Sequence, residues 1–358
     1  MPSLKEIKGR INSISSTLAI TSAMKMVAAA KLQKAQMAIQ NMLPYERRLY
    51  SMLLDLMGAM NISAAASEDG SVRGSGSAER GFDQIGYRLS LSNRHDLAGM
   101  DGAYSLMAQR EVRKVAIVAF ASNSSLCGAF NSNVIREATA VINEYRALGL
   151  GDSDITVYSV GRKMAEAMKK LGFPSPADFT KMSDSPSYDA ASALAQELFD
   201  GFVSGRFDKV ELVYNHYKST SSQPTTRQTY LPLSLADATA DIQVGKITDS
   251  ASESDTNRGA EPVGAPVVRQ GSPTTEDLIV EPSKEALIAT LLPKVVRLRI
   301  FTTLLDSAAA EHAARTVAMQ LATDNGNDLL QELTLEYNKG RQQKITSEIL
   351  DLVGGSMQ

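Results

Sequence analysis

The first sixty residues carry apolar side chains at alternating steps of three and four residues. Counted from Leu4 to Met60, this heptad register has seventeen positions, of which fourteen are Leu, Ile, Met or Ala. The three exceptions are Thr21, Lys25 and Glu46. A narrow apolar seam of that length is typical of a helix that pairs with another helix. Pro44 removes one backbone donor, so we expect a kink near Asn41 rather than an end of the helix.

A second stripe with helical spacing runs through the C-terminal segment. Its apolar positions are Phe301, Leu305, Ala308, Ala314, Val317, Leu321, Leu330, Leu333, Tyr337, Ile345, Ile349 and Leu352. Ser283 provides a helix N-cap and Gly354-Gly355 a stop signal. At 1.5 Å per residue the two helices would span about 85 and 105 Å, whereas a compact chain of this length is about 50 Å across. The helices must therefore project from the globule as an antiparallel pair.

The pairing of these helices leaves the C-terminal end of the second helix without a partner. If the first helix ends near Met60 and the last begins near Lys284, Leu4 lies opposite Gly340. The helix beyond Gly340 has no partner, yet its apolar stripe continues to Leu352. An exposed stripe of this kind is a liability in water, so we expect another protein to enclose it.

The middle of the chain alternates between apolar runs and helical patterns. Strands are predicted at 114–120, 155–160, 209–217 and 226–235, and helices at 133–148, 162–171 and 188–204. This alternation favours a mostly parallel, doubly wound sheet. The predicted divisions are an N-terminal coiled-coil helix at 1–60, an insertion or linker at 61–111, an α/β domain at 112–236, an acidic insertion rich in Pro, Ser and Gly at 237–282, and a C-terminal coiled-coil helix at 283–358. Both insertions are predicted to be partly disordered.

Composition excludes several classes of protein. With 37 Lys and Arg against 40 Asp and Glu, the net charge of −3 argues against a chain that wraps nucleic acid, and no nucleic-acid partner is expected. The single cysteine, Cys127, excludes an intrachain disulfide and a thiolate metal cluster. The N-terminus is charged and no run of 18 apolar residues occurs, so the chain is predicted to be neither exported nor membrane-spanning.

The first candidate for chemistry is a polar turn at 122–131 that follows a predicted buried strand. Open α/β sheets bind ligands at such turns. The turn contains no GxxxxGK[ST], no GxGxxG and no lysine, so we interpret it as structural. Cys127 has no His or Lys within twelve residues and is predicted to be buried and inert. The histidines, His95, His216 and His312, lie far apart, and the sequence predicts no catalytic, cofactor or metal site.

Charge along the first helix is uneven. Residues 1–60 carry eight basic and three acidic side chains, a local charge of +5. Lys25 lies on the seam register between Met24 and Met26. One interpretation is a solvated helix face. The other is a surface that slides past an acidic partner, because flexible thioethers adapt to a moving surface.

Three segments resemble the gamma subunit of F-type ATP synthases, at 7–36, 122–131 and 304–355. The last of them, from LLDSAAAEHAARTVAMQ to EILDLVGG, is highly specific. The resemblance implies an α/β fold in which a long antiparallel coiled coil of the N- and C-terminal helices adjoins a central Rossmann-like domain. It also implies a central rotor shaft that couples proton or other ion flow through the membrane c-ring to ATP synthesis and hydrolysis in the hexamer of alpha and beta subunits.

The same resemblance implies partners and contact residues. The partners would be the alpha and beta subunits, the epsilon subunit and the c-ring, with the chain peripheral at the cytoplasmic face of the bacterial inner membrane. Met24 and Lys25 would face the acidic lever of a beta subunit, and Arg341, Gln342 and Thr346 would touch the catch loops of the hexamer. No cofactor and no catalytic site of its own are implied.

The sequence departs from the family pattern at one motif. Ser124-Ser125 stand where the family usually has a basic residue and a glycine, so no charged role is inferred for that loop. A single cysteine also excludes the paired-cysteine redox switch of plastid members. Two other classes of function stay open: a freestanding α/β enzyme with a ligand site at 122–131, and a passive coiled-coil tether whose unpaired end needs no enclosure.

Overall fold

The computed structural model of the chain describes residues 3–59, 106, 110–233, 280–281 and 283–356. The predicted insertions at 61–111 and 237–282 lie outside the described residues except for a few positions at their edges. His95 and the predicted strand residues beyond 233 lie outside them as well.

Two long helices dominate the described chain. Helix α1 spans Leu4–Ala59 and continues through Pro44, and the last helix, here α6, spans Lys284–Ser356. The N-cap prediction at Ser283 is confirmed, because its Oγ accepts a hydrogen bond from the backbone N–H of Ala286 at 3.2 Å. The predicted stop at Gly354-Gly355 is wrong, since the helix includes both glycines. Propagation of a long existing helix outweighs the unfavourable helix propensity of two terminal glycines.

Between these helices lies a four-stranded sheet. Its elements, in chain order, are β1 (Val115–Phe120), α2 (Phe130–Ala147), β2 (Ile155–Val160), α3 (Arg162–Lys170), α4 (Thr180–Asp184), α5 (Tyr188–Val203), β3 (Lys209–Asn215) and β4 (Thr225–Leu231). The strand order is β2-β1-β3-β4, in which β1 pairs in parallel with β2 and β3, and β4 is antiparallel to β3. The predicted α/β class with a Rossmann-like centre is confirmed. The short helix α4 has no counterpart among the predicted elements.

Strand β1 is buried on both faces, as its continuous apolar sequence predicts. Val115, Ile117 and Ala119 point to the face covered by α2 and α3. Their neighbours along the strand point to the opposite face, which is covered by α5 and by the two long helices. That second core contains α1 side chains from Leu49 to Leu56 and α6 side chains from Ile288 to Leu304. The α/β domain is therefore built directly onto one end of the helix pair.

Candidate functional site

The seam of the coiled coil follows the heptad register. Every register position of α1 from Leu4 to Leu56 is buried or half-buried. Side chains off the register, such as Met26 and Val27, are exposed. The buried and half-buried positions of α6 show the same alternation at Met319, Thr323, Gly326, Leu330, Leu333, Tyr337 and Gly340. The predicted antiparallel coiled coil is confirmed by this pairing of seams.

One predicted stripe position on α6 is wrong. Leu321 is 58% exposed, whereas Met319, two residues earlier, is buried. Two residues along an α-helix correspond to about 200° of rotation, so these two side chains cannot share a face. The apolar side chain at 321 therefore belongs to the outer surface of the coil, and a methionine takes its place in the seam.

The predicted register between the helices is confirmed by their closest contacts. A Cβ built on Gly340 would lie 3.1 Å from Cδ2 of Leu4, and one built on Gly326 would lie 2.6 Å from Cδ2 of Leu18. The hydroxyl oxygens of Thr21 and Thr323 are 3.1 Å apart. In each of these pairs the two residue numbers add to 344, as the register that places Leu4 opposite Gly340 requires. Glycine at these two seam positions lets the helices approach closely.

Lys25 lies in this seam as well as on the surface. It is half-buried, and its Nζ donates a hydrogen bond to Oε1 of Gln320 across the coil at 2.5 Å. Gln320 in turn donates to the carboxylate of Asp324 at 2.8 and 2.9 Å. An ammonium group has three donors, so the Gln320 bond leaves others for a second partner. Lys25 thus contributes to the coiled coil itself, a role that neither interpretation of the sequence included.

The surface around Lys25 is apolar. Met24 is exposed, and Ile20 and Val27 lie on the same side of α1 at steps of four and three residues. All three are large hydrophobic side chains exposed by more than two fifths. A stripe of this kind on a rod is typical of a contact surface for another protein. Ile20 and Val27 were not singled out from the sequence, although their spacing from Met24 was a visible signal.

The free end of α6 carries the other predicted contact residues. All positions from 341 to 350 are exposed, including Arg341, Gln342 and Thr346. The hydroxyl of Thr346 donates to the backbone carbonyl of Gln342, four residues earlier, at 2.9 Å. Apolar side chains share this exposed end at Ile345, Ile349 and Leu352. The segment therefore presents polar and apolar groups together outside the paired coil.

These two sets of residues do not form one site. Gln320, which faces Lys25, and Arg341 are twenty-one residues apart on α6, about 30 Å along the helix axis. The predicted contact residues therefore lie in two separate places along the coiled coil, one beside Lys25 and one at the unpaired end of α6.

The turn at 122–131 is closed by its own hydrogen bonds. Asn131 accepts from the backbone N–H of Ser122 at 3.0 Å and donates to the carbonyl oxygen of Ser124 at 3.1 Å. Cys127 is buried, in agreement with the sequence. Outside the turn, Arg315 of α6 donates to the Ser124 hydroxyl at 2.6 Å. The polar groups that an anion would need are largely used within the protein.

Helix α6 also fills the space next to this turn. A cavity of about 10 Å³ lies between the end of β1 and α6, lined among others by Phe120, Ser183, Ser307 and Glu311. That volume is about the space of one water molecule. It is too small for a nucleotide.

Burial shifts two titratable groups where α6 meets the domain. Burial raises the pKa of Glu311, although its ion pair with Arg315, 2.7 Å between Oε1 and Nη1, acts in the opposite direction. Burial, together with the positive charges of Arg315 and Lys31, lowers the pKa of His312 to about 4. His312 Nδ1 is buried without a hydrogen-bond partner. Of the two groups, Glu311 lines the water-sized cavity beside the turn and His312 does not.

Metal-ligating clusters are absent from the described part of the chain, where no three His, Cys, Asp or Glu side chains gather. His216 instead bonds Asp306 of α6, with 2.6 Å between Nδ1 and Oδ2. Asp306 was not predicted as a contact, although it is the single charged residue between Ile300 and Ala310. None of the described helices combines the length and the continuous apolar character that a membrane span needs.

Comparison with known proteins gives a consistent result. A family model described as ATP synthase matches residues 3–357. The chain is 47% identical to the ATP synthase gamma chain of Phocaeicola vulgatus over 100% of both chains. It is 35% identical to the ATP synthase gamma chain of Flavobacterium johnsoniae, covering 99% of this chain and 98% of that one.

A solved structure supports the fold. The chain resembles a chain of the Euglena gracilis mitochondrial ATP synthase (OSCP, F1 and c-ring), with a TM-score of 0.52 and 18% identity over 99% of this chain and 93% of that one. Similarity at this identity concerns the fold alone. Together with the paired long helices and the α/β domain at their base, the full-length sequence matches establish that the chain belongs to the ATP synthase gamma chain family.

Proposed function

We propose that the chain is the central shaft of an F-type ATP synthase, which turns inside the hexamer of alpha and beta subunits. In this proposal its rotation couples ion flow through the membrane c-ring to ATP synthesis or hydrolysis in the hexamer. The observation that carries the proposal is the unpaired end of α6, where residues 341–350 are all exposed although Ile345 and Ile349 are apolar. A surrounding sleeve of protein would bury these side chains.

The contact residues follow from exposure and position. Met24 and Lys25 would meet an acidic surface of a beta subunit, because Met24 belongs to the exposed apolar stripe and the Lys25 ammonium has donors besides the one bonded to Gln320. Arg341, Gln342 and Thr346 would meet loops of the hexamer at the free end of α6. The α/β domain, at the opposite end of the coil, would adjoin the epsilon subunit and the c-ring.

The chain itself would not catalyse ATP chemistry. Phosphoryl transfer requires a phosphate cradle and metal ligands. The described residues offer a closed turn at 122–131 and a cavity for one water beside it. In this proposal the chain is a peripheral subunit at the cytoplasmic face of a bacterial inner membrane, held there through the c-ring, and it binds no cofactor.

Two experiments test this function. In the natively purified complex, one copy of the chain per three beta subunits is expected, whereas two or more copies would favour a tether or an oligomeric enzyme. Rigorously purified chain alone should not hydrolyse ATP. Turnover that disappears on changing Asn123 or Ser124 would contradict the shaft and favour an enzyme.

Substitutions that change the charge at position 25 test whether Lys25 contacts a partner. Lys25→Glu should lower the number of protons pumped per ATP hydrolysed, because it places a negative charge against an acidic partner surface. Lys25→Leu completes the apolar seam but loses the bond to Gln320, and it removes the same attraction without adding a negative charge. Lys34→Glu is the matched control, since Lys34 is an exposed lysine of α1 outside the register. Equal pumping ratios for wild type and both Lys25 variants would show that Lys25 has no contact role.

A further inference from the structure

The carboxyl ends of β1 and β3 form the part of this sheet where open α/β folds bind their ligands. The chain leaves β1 for β2 on one side and later returns to β3 on the other, so the switch in strand order lies between β1 and β3. Ligands of such folds occupy the crevice at this switch. Here helix α6 lies at the crevice, and the segments that follow β1 and β3 both form hydrogen bonds with it.

The first anchor follows β1. Nη2 of Arg315 donates to the hydroxyl of Ser124 at 2.6 Å, and its Nη1 pairs with Glu311 one turn earlier on α6 at 2.7 Å. The guanidinium is largely buried, and the Glu311 side chain is 9% exposed. Ser124 is itself fixed, because its carbonyl oxygen accepts hydrogen bonds from Ser122 and Asn131. A charge-assisted bond between two fixed groups resists displacement.

The second anchor follows β3 and joins three parts of the molecule. Asp306 of α6 accepts a hydrogen bond from the backbone N–H of Tyr217 at 2.9 Å through Oδ1, and its Oδ2 meets Nδ1 of His216 at 2.6 Å. The hydroxyl of Tyr217 accepts from Nε2 of Gln36 on α1 at 2.6 Å. The ring of Tyr217 packs between the two long helices beside Leu32 and Ala313. The end of β3 is thereby tied to both helices of the coil.

The two anchors lie on opposite sides of α6. Asp306 and Arg315 are nine residues apart, which is about 13.5 Å along the helix and two and a half turns around it. Their Cα atoms are therefore about half a turn apart, and the two segments hold the helix from both sides. Apolar packing between α6 and the sheet is not directional and permits small rotations, whereas hydrogen bonds fix distance and angle.

We propose that these two anchors fix the rotational setting of α6 relative to the α/β domain, and that torque passes between domain and coil through them. Asp306, Tyr217, Ser124 and Arg315 are positioning residues in this inference, since they touch no reacting group. The inference rests on the proposed shaft function. In this inference, helix α6 of the chain itself occupies the edge of the sheet where other open α/β folds bind ligands.

The test measures torsional stiffness in the complete ATP synthase complex. With the hexamer fixed to a surface, a probe on the c-ring reports the angular fluctuation of the rotor during a catalytic dwell. The double variant Ser124→Ala with Asp306→Ala removes the side-chain acceptors of both anchors, whereas Asn at 306 would keep an oxygen for the N–H of Tyr217. Glu332→Gln on the exposed surface of α6 is the control, since Glu332 has no hydrogen bond or ion pair within the described residues.

The double variant should raise the angular variance about twofold or more, because connections that act in parallel are weakened together. Each single variant should give a smaller increase, and Glu332→Gln should match wild type. Equal variance for the double variant and wild type would overturn the inference. If the double variant does not assemble, the two single variants decide, with unchanged variance in both counting against the anchors. A wild-type complex in which the chain does not rotate would instead refute the shaft function.

Discussion

A buried carboxylate in the α/β domain provides the sharpest test of the structure. Glu211 on β3 is 2% exposed and accepts hydrogen bonds from Tyr145 at 2.6 Å, from Arg227 at 2.7 and 3.2 Å, and from Lys209 at 2.6 Å. Arg227 also pairs with Glu144 of α2, at the surface. The network joins β3 and β4 to α2. We expect Glu211→Gln to destabilise the domain because it leaves two cations without their shared anion.

The size of the destabilisation by Glu211→Gln follows from the burial of the Glu211 side chain. Removing one partner of a buried ion pair costs about 3–5 kcal/mol, and the cations here are 27% and 30% exposed and partly regain water, so we expect about 3 kcal/mol. For a domain of this size that corresponds to a decrease in Tm of about 10 °C. Differential scanning calorimetry of the full chain measures it. Glu144→Gln is the control, and it should cost less than about 1 kcal/mol because the Glu144 side chain is 57% exposed.

The pH dependence has a defined sign. Burial alone would raise the pKa of Glu211, but hydrogen bonds from Arg227, Lys209 and Tyr145 hold that pKa below its ordinary value. A carboxylate with a lowered pKa in the folded state stabilises the fold above its unfolded pKa, and this stabilisation is lost as the pH falls through the folded pKa. The difference between wild type and Glu211→Gln should be constant from neutral pH down to about pH 5 and shrink below about pH 4. A difference no larger than that of Glu144→Gln at neutral pH would refute this reasoning.

Two further predictions concern α6. The pKa of His312, lowered to about 4, means that the unfolded chain takes up the proton first as the pH falls. Wild type should therefore lose up to about 3 kcal/mol relative to His312→Gln between pH 6.5 and 4, measured by urea unfolding, and parallel curves would contradict this. Gly340→Ala should raise the Tm, because it gains about 1 kcal/mol of helix propensity and needs only a small shift of Leu4. Gly326→Ala should raise it less, since its Cβ would meet Leu18 at 2.6 Å, and the reverse order would contradict the register.

The sequence determined the coiled coil almost completely. Seam positions follow from local periodicity, because residues three and four apart on a helix share a face whatever the rest of the chain does. Because the two helices are longer than a compact chain of this size is wide, they were expected to leave the globule as an antiparallel pair. The contact of Leu4 with Gly340 that this pairing predicts is confirmed. The strands could be predicted from the sequence in the same way, since a continuous apolar run such as β1 is typical of a strand buried on both faces.

Leu321 and Lys25 show which features of a seam depend on the partner helix. Leu321 continued an apolar pattern, yet the seam passes through Met319 and leaves Leu321 exposed. For Lys25 the sequence left a solvated helix face and a contact with an acidic partner open, and neither interpretation included the hydrogen bond that Lys25 donates to Gln320 on the opposite helix. Periodicity gives the side of a helix to within a residue or two. It does not say which polar group of the second helix is within reach.

The sequence by itself thus determined the two long helices, their register, the α/β class of the domain and the exposed apolar end of α6. Only the tertiary structure decided how the domain is fixed to the coil. Ser124 and Arg315 are 191 positions apart in the chain, and Tyr217 and Asp306 are 89 apart. No local pattern encodes a contact between residues so distant, because the contact exists only after the sheet has set the positions of its strand ends against α6.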